Sequence, residues 1–271
     1  MYFAPQIDTM QHIARCSVRL APMRVFPDHK SEQYTQLIEG DWVVIQRGEG
    51  VWVLVESLWN GDSGWVLRGQ LTLIEGALPI IRGLNALQKQ TVCGQWLDAT
   101  DGDSVRIQSD WQERYARATQ LLSIPPMRVD VEPLGGEQGT SLSEHVHQCM
   151  DVFLGAPYAW GGMSYWGMDC SGLVQLLYRY RGIPMPHSAS KQATMGRILD
   201  FIQEAQPGDL AFFNDADGQV VHVGILLSPD RILHASARSG RVQQDAIDWQ
   251  GIINTDGERT HTLRIITRIE E

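Results

Sequence analysis

The chain has 271 residues, 43% hydrophobic and 20% charged, the composition of an ordinary globular protein long enough for two or three domains with real cores. Its 22 Lys and Arg against 32 Asp and Glu give a net charge of −10, which argues against nucleic acid and against an anionic membrane surface as partners. The four cysteines, Cys16, Cys93, Cys149 and Cys170, have no paired spacing, so a disulfide framework is not expected. Met1 to Arg24 contains Asp8, Arg15, Arg19 and Arg24 and no apolar run of seven or more; no membrane span is read there, and a cytoplasmic location is expected.

Residues 17–75 read as β-rich. Asp41 to Gln46, Val51 to Ser57 and Gly64 to Leu67 are short β-branched and aromatic runs, separated by turns such as Gly48-Glu49-Gly50 and Asn60-Gly61-Asp62. Closely spaced short strands predict a small barrel. Residues 76–140 are read either as a second, degenerate barrel or as an elaborated linker. Within them, Asp101-Gly102 predicts a hairpin between Leu97-Asp98-Ala99 and Ser104 to Gln108, and Trp111 to Leu122 has helix-like composition. Pro125, Pro126, Pro133 and Gly135-Gly136 mark a boundary, and residues 141–271 form the last domain.

That domain opens with a helix over Leu142 to Phe153, capped by Ser143, with Val146, Cys149, Met150 and Phe153 as its apolar stripe. A Gly-rich aromatic stretch from Tyr158 to Gly167 leads to Asp169, a favoured N-cap. Leu173, Val174, Leu176, Leu177 and Tyr180 then recur as one buried stripe of a helix over about residues 170–181, ended by Gly182 and Pro184. Cys170 falls in its first turn, where free backbone N–H groups and the helix dipole favour a thiolate, so it is a candidate nucleophile. Asp209, after Pro207-Gly208, reads as a turn residue at the start of a strand.

A nucleophilic thiol needs a base and an orienting group. Val220 to Leu227 and Arg231 to Ala235 read as adjacent strands carrying His222 and His234. A two-residue turn at Pro229-Asp230 sets His234 opposite Ile225, on the wrong face; a three-residue turn through Arg231 sets it opposite Leu226, on the His222 face, and is the expected arrangement. Taken singly, a buried Cys is usually a small hydrophobe and a strand His a structural residue. The combination is what points to catalysis. No CxxC or HxxxH pair is present, so neither a metal nor another cofactor is expected.

YAWGG, DCSGL, PGDLAFF, HVGILL and ILHAS, spread over about residues 143–270, resemble the NlpC-type cell-wall cysteine peptidases. The resemblance implies an α+β fold with a papain-like core, helices packed on an antiparallel sheet. It implies Cys170 as nucleophile, His222 as general base and then acid, and His234 as the third, orienting residue. It further implies Tyr158 near the oxyanion site, Asp169 and Ser171 holding the substrate's free amine, and a Ser beyond His187 that touches substrate, for which Ser188 and Ser190 are candidates.

The segment around Gly40-Asp41 and Gly64-Trp65-Val66 is similar to bacterial SH3-type domains, which accompany these peptidases and help read the substrate's N-terminal end. Where relatives carry a Tyr before the Gly-Trp pair, this chain has Gly61-Asp62-Ser63, and Asp62 or Glu32 stands in to read an ammonium group. The implied substrate is a murein peptide, L-Ala-γ-D-Glu-diamino acid, cut at the γ-D-glutamyl bond during recycling. An amidase or acyltransferase using the same Cys-His-His group, and a non-catalytic wall-binding module, are the alternatives.

Overall fold

The computed structural model describes residues 12–74, 96–100, 104–108 and 141–270, and the chain divides into two units, Met1–Leu122 and Ser123–Glu271. In the first unit, seven strands, β1 (His12–Cys16), β2 (Leu20–Arg24), β3 (Gln33–Ile38), β4 (Trp42–Glu49), β5 (Trp52–Ser57), β6 (Ser63–Leu67) and β7 (Leu71–Ile74), form one antiparallel sheet in the order β3-β2-β6-β5-β4-β1-β7. Alternation drives it: Ala14, Cys16, Ala21, Met23, Leu37, Val43, Ile45, Val53, Val55 and Val66 point to one side and close a common core. The sheet begins at His12, ahead of the residue where the sequence pattern starts it. The two strands expected on either side of Asp101-Gly102 pair antiparallel, β8 (Trp96–Thr100) against β9 (Ser104–Gln108), while Asp101-Gly102 itself lies outside the described residues. The helix expected over Trp111 to Leu122 lies outside the described residues.

The second unit opens with α1 (Leu142–Phe153), capped by Ser141 rather than Ser143. Ser141 and Glu144 form a capping box, the Ser141 hydroxyl accepting from the Glu144 N–H and Glu144 accepting from the Ser141 N–H. His145 is buried with Val146, Cys149 and Phe153, so Cys149 is core, as expected. A short ribbon of β10 (Met163–Ser164) and β11 (Gly167–Met168) precedes α2 (Cys170–Tyr180), and α3 (Ala189–Gln192) follows it.

The sheet of this unit contains β12 (Arg197–Leu199), β13 (Leu210–Asn214), β14 (Val220–Ser228), β15 (Arg231–Ser236), β16 (Arg241–Asp248), β17 (Gly251–Ile253) and β18 (Arg259–Arg268). Its order is β12-β18-β13-β14-β15-β16-β17, and β17 also pairs with β18. The sheet is therefore closed and barrel-like rather than open, around Ala211, Phe213, Leu226, Ile232, Ile247, Ile252 and Ile266.

Helix α2 differs from the one-striped helix that its sequence predicts, because its polar side is buried too. Ser171, Gln175 and Arg179, spaced by four, are each at most 6% exposed. Gln175 donates through Nε2 to the Met185 carbonyl at 3.1 Å, so loop backbone, rather than water, meets this side of the helix there. Asp209 at the start of β13 is structural: it accepts from Arg268 through both oxygens at 2.8 and 2.7 Å.

Candidate active site

The position of Cys170, the candidate nucleophile, is set by Asp169. Its Oδ1 accepts from the Gly172 N–H at 2.7 Å and the Ser171 hydroxyl at 2.8 Å, and its Oδ2 accepts from the Gly161 N–H at 2.8 Å. One buried carboxylate thus caps α2 and ties it to the Gly-rich loop. The two backbones touch: a Cβ on Gly172 would stand 2.1 Å from the Gly162 carbonyl oxygen, so only glycine fits.

Cys170 begins α2 and is 8% exposed. Burial first, and then the Asp169 charge, push its thiol up to about 12, against a lowering by the N–H groups of Val223, Ser171 and Cys170 itself. The helix N-terminus does act on the sulfur, but burial wins. The resting side chain is a thiol, not the thiolate that its helix position predicts. Tyr158 is half-buried, and burial followed by the charges of Cys170 and Asp169 raises it to about 12, which keeps a neutral phenol beside both. Ser171 is buried and committed to Asp169. Ser190, exposed on α3, has its hydroxyl 3.2 Å from that of Ser188, and takes no part in the histidine chain described next. Asp62 in the first unit is buried, accepting from Asn60 at 2.7 Å and Tyr34 at 3.4 Å.

His222 and His234 share a face, as expected, but by a different route. The turn has two residues, with Ser228 paired to Arg231, and a β-bulge between Leu226 and Ser228 shifts the register so that Ile225 meets Leu233. Continuing by one residue sets His234 across from Gly224, not Leu226. A Cβ on Gly224 would lie 3.1 Å from the His234 Cβ and 2.6 Å from Ile232 Cδ1, so the missing side chain makes room for the imidazole.

The two rings are joined directly, His222 Nε2 to His234 Nδ1 at 2.9 Å. Burial, then His234 and His261, lower the pKa of His222 well below the usual imidazole range. His261 stacks on the His222 ring, centroids 4.3 Å apart and planes 24° apart.

Sequence reasoning missed Asp245. Its Oδ2 lies 3.0 Å from His234 Nε2 and accepts from Gln243 Nε2 at 2.6 Å, with the carboxylate 3% exposed. Burial raises its pKa, but those two hydrogen bonds outweigh it and hold the carboxyl below the usual range. Its signal is faint: a carboxylate at an alternate position of RVQQDAID, the strand after the one that carries His234. His261 had no signal beyond being one of eight histidines. Among the described residues no group of three or more His, Cys, Asp and Glu is arranged to hold a metal ion.

Residues 155–256 match the NlpC/P60 family. The gamma-D-glutamyl-L-lysine dipeptidyl-peptidase of Bacillus subtilis (strain 168) is 26% identical over 233 residues, covering 76% of this chain and 73% of that protein. The probable endopeptidase NlpC of Escherichia coli (strain K12) is 40% identical over 100 residues, 35% of this chain and 64% of that protein. An NlpC/P60 family protein from Bacillus cereus ATCC 10987 has the same fold at a TM-score of 0.62 and 18% identity, covering 94% of this chain and 99% of that one.

Proposed function

We propose that this chain, whose residues 155–256 match the NlpC/P60 family, is a cysteine peptidase that hydrolyses the γ-D-glutamyl-diamino acid bond of murein peptides, with Cys170 as nucleophile, His222 as base and then acid, and His234 as the orienting residue. One observation carries the proposal. The Cys170 thiol sits in the first turn of α2 within reach of the N–H of Val223, the neighbour of His222, and His222 is bonded in turn to His234.

A thiol raised to about 12 does not ionise unaided at neutral pH, so its proton leaves as the sulfur attacks. The S–H bond breaks toward His222 while sulfur bonds to the amide carbon. The carbonyl oxygen becomes an oxyanion, facing backbone N–H at the helix start and the neutral Tyr158 hydroxyl. As the C–N bond breaks, His222 returns the proton to the leaving amine, and a thioester remains. Water then adds with His222 as base, releasing the acid and the thiol.

The substrate class rests on the relatives' names, one a gamma-D-glutamyl-L-lysine dipeptidyl-peptidase and one a probable endopeptidase. We assign Asp169 and Ser171 to the substrate's free amine, Ser190 to its flank, and an SH3-type reading role to the seven-stranded sheet of the first unit, with Asp62 or Glu32 as the candidate carboxylate. A peptide with a free L-Ala amine has already been cut from its sugar. A requirement for that amine would support a role in the recycling of released peptides, for which we propose a cytoplasmic setting.

The test is mass spectrometry of L-Ala-γ-D-Glu-meso-diaminopimelate and its amine-blocked form after incubation with wild type and Cys170→Ala. Diaminopimelate released by wild type alone, and only from the free-amine peptide, is the expected result. Cleavage of both peptides would remove the amine-reading role. Cleavage of neither would favour an acyltransferase or a binding module.

A further inference from the structure

The described part of the molecule offers several buried polar clusters outside the Cys170–His222–His234 set, and the chain leading through His234 to Asp245 carries the furthest. His234 is held at both ring nitrogens, Nδ1 by His222 at 2.9 Å and Nε2 by Asp245 at 3.0 Å. The His234 and Asp245 side chains are only 1% and 2% exposed, so water is not there to replace either bond.

An ionised carboxylate only accepts hydrogen bonds, so the bond to Asp245 requires a proton on His234 Nε2. A neutral imidazole has one N–H. His234 Nδ1 is then an acceptor, and the bond between the rings requires the proton on His222 Nε2. The one nitrogen of the pair left with a free lone pair is His222 Nδ1. Gln243 fixes the origin of the series, because its Nε2 donates to the same Asp245 oxygen at 2.6 Å and keeps that oxygen aimed at His234.

We infer that Asp245 is a positioning residue of the active site: through His234 it sets the tautomer of both imidazoles and so leaves Nδ1 of His222 as the nitrogen able to take the thiol proton. When that proton arrives, His222 becomes an imidazolium still donating through Nε2, and the Asp245 charge lies at the far end of a continuous hydrogen-bonded line. Without an acceptor at position 245, His234 is free to carry its proton on Nδ1 and donate it to His222 Nε2. His222 then holds its own proton on Nδ1, and the base is blocked. This extends the catalytic reading proposed above; the tautomer assignment depends only on Asp245 and the two rings.

The test uses the full chain labelled with ¹⁵N-histidine, with signals assigned through single His→Gln variants, and reads the ring nitrogens by long-range ¹H–¹⁵N correlation. Wild type is expected to show both rings as Nε2–H tautomers with an unprotonated His222 Nδ1. A His234 protonated on both nitrogens, or on Nδ1 alone, would overturn the inference, and this reading of the wild type needs no substrate and no change at position 245. In Asp245→Leu, which has similar volume and no acceptor, the signals should move to Nδ1–H, and kcat on the diaminopimelate peptide should fall about 10- to 100-fold at unchanged KM, the usual cost of losing such a supporting partner. A folded Asp245→Leu protein whose tautomers match wild type would sink the idea, even if its activity dropped. Should wild type cleave no murein peptide, the functional proposal fails while the nitrogen spectrum still decides the role of Asp245.

Discussion

Gly172→Ala probes whether the Gly-rich loop and the helix start form one rigid unit. The added Cβ would lie 2.1 Å from the Gly162 carbonyl oxygen, 3.2 Å from its carbon and 3.3 Å from Asp169 Oδ1, so the loop and α2 must part by more than an ångström. That separation strains the Asp169 hydrogen bonds to Gly161 and Gly172, both shorter than 2.9 Å. Hydrogen bonds to a buried charge contribute about 1.5–3 kcal/mol each, whereas alanine in a helix gains about 1 kcal/mol over glycine. With one such bond lost and the other weakened, the net expectation is a destabilisation of about 2–3 kcal/mol. Because a displacement of about 1 Å at reacting atoms costs on the order of 100-fold in rate, kcat should fall far more than global stability suggests. Urea unfolding gives the first number, and peptide hydrolysis with iodoacetamide labelling of Cys170 gives the second. A variant with wild-type midpoint and turnover would refute the rigid-unit argument.

Three further outcomes are expected. Burial, with His234 and Arg238 nearby, lowers the pKa of His261 to about 4, so the unfolded chain takes up this proton first as pH falls; the resulting loss of stability begins near pH 6.5, is complete below about 4, and amounts to at most about 3 kcal/mol. His261→Gln should flatten that part of the stability profile without abolishing it, since His222 titrates in the same sense, and an unchanged profile would speak against the assignment. Asp248, lowered to about 2 chiefly by its hydrogen bonds to Arg259, stabilises the fold above pH 4 and loses that effect as pH falls through about 2; the pair is more than a third exposed at Asp248, so Asp248→Asn should cost only about 0.2–1 kcal/mol at neutral pH and progressively less as pH falls below about 4. Ser141→Ala, which removes the α1 cap, should cost about 1 kcal/mol in urea unfolding and leave kcat unchanged.

The parts of the site that were legible in the sequence are those fixed by local chemistry. An N-cap, a helical stripe and a stop signal are written within a dozen residues, and α2 with Cys170 at its head follows from them. The helix over residues 142–153 is equally legible, but its cap is Ser141, two residues ahead of Ser143, because only Ser141 has Glu144 three residues on to complete a capping box. Burial of the polar side of α2, and with it the protonated state of Cys170, could not be read there: both depend on which loops cover the helix, a long-range property. The same limit hid Asp245, since only the pairing of β15 with β16 brings it to His234. Likewise, closure of the sheet needs β17 to meet β18, a contact that no local pattern encodes.

The bulge at Leu227 has a consequence for how this hairpin can vary. Side chains on a strand have only two directions, so the residues between His222 and His234 act as a parity counter. Deleting the bulged residue, or adding one residue to the exposed turn, would turn His234 to the opposite face and take with it Ile232, which packs in one core with Leu226. Length changes here should therefore be tolerated in steps of two, or as an insertion matched by a second bulge, and a loop graft that ignores the count would part the histidines and weaken the core together.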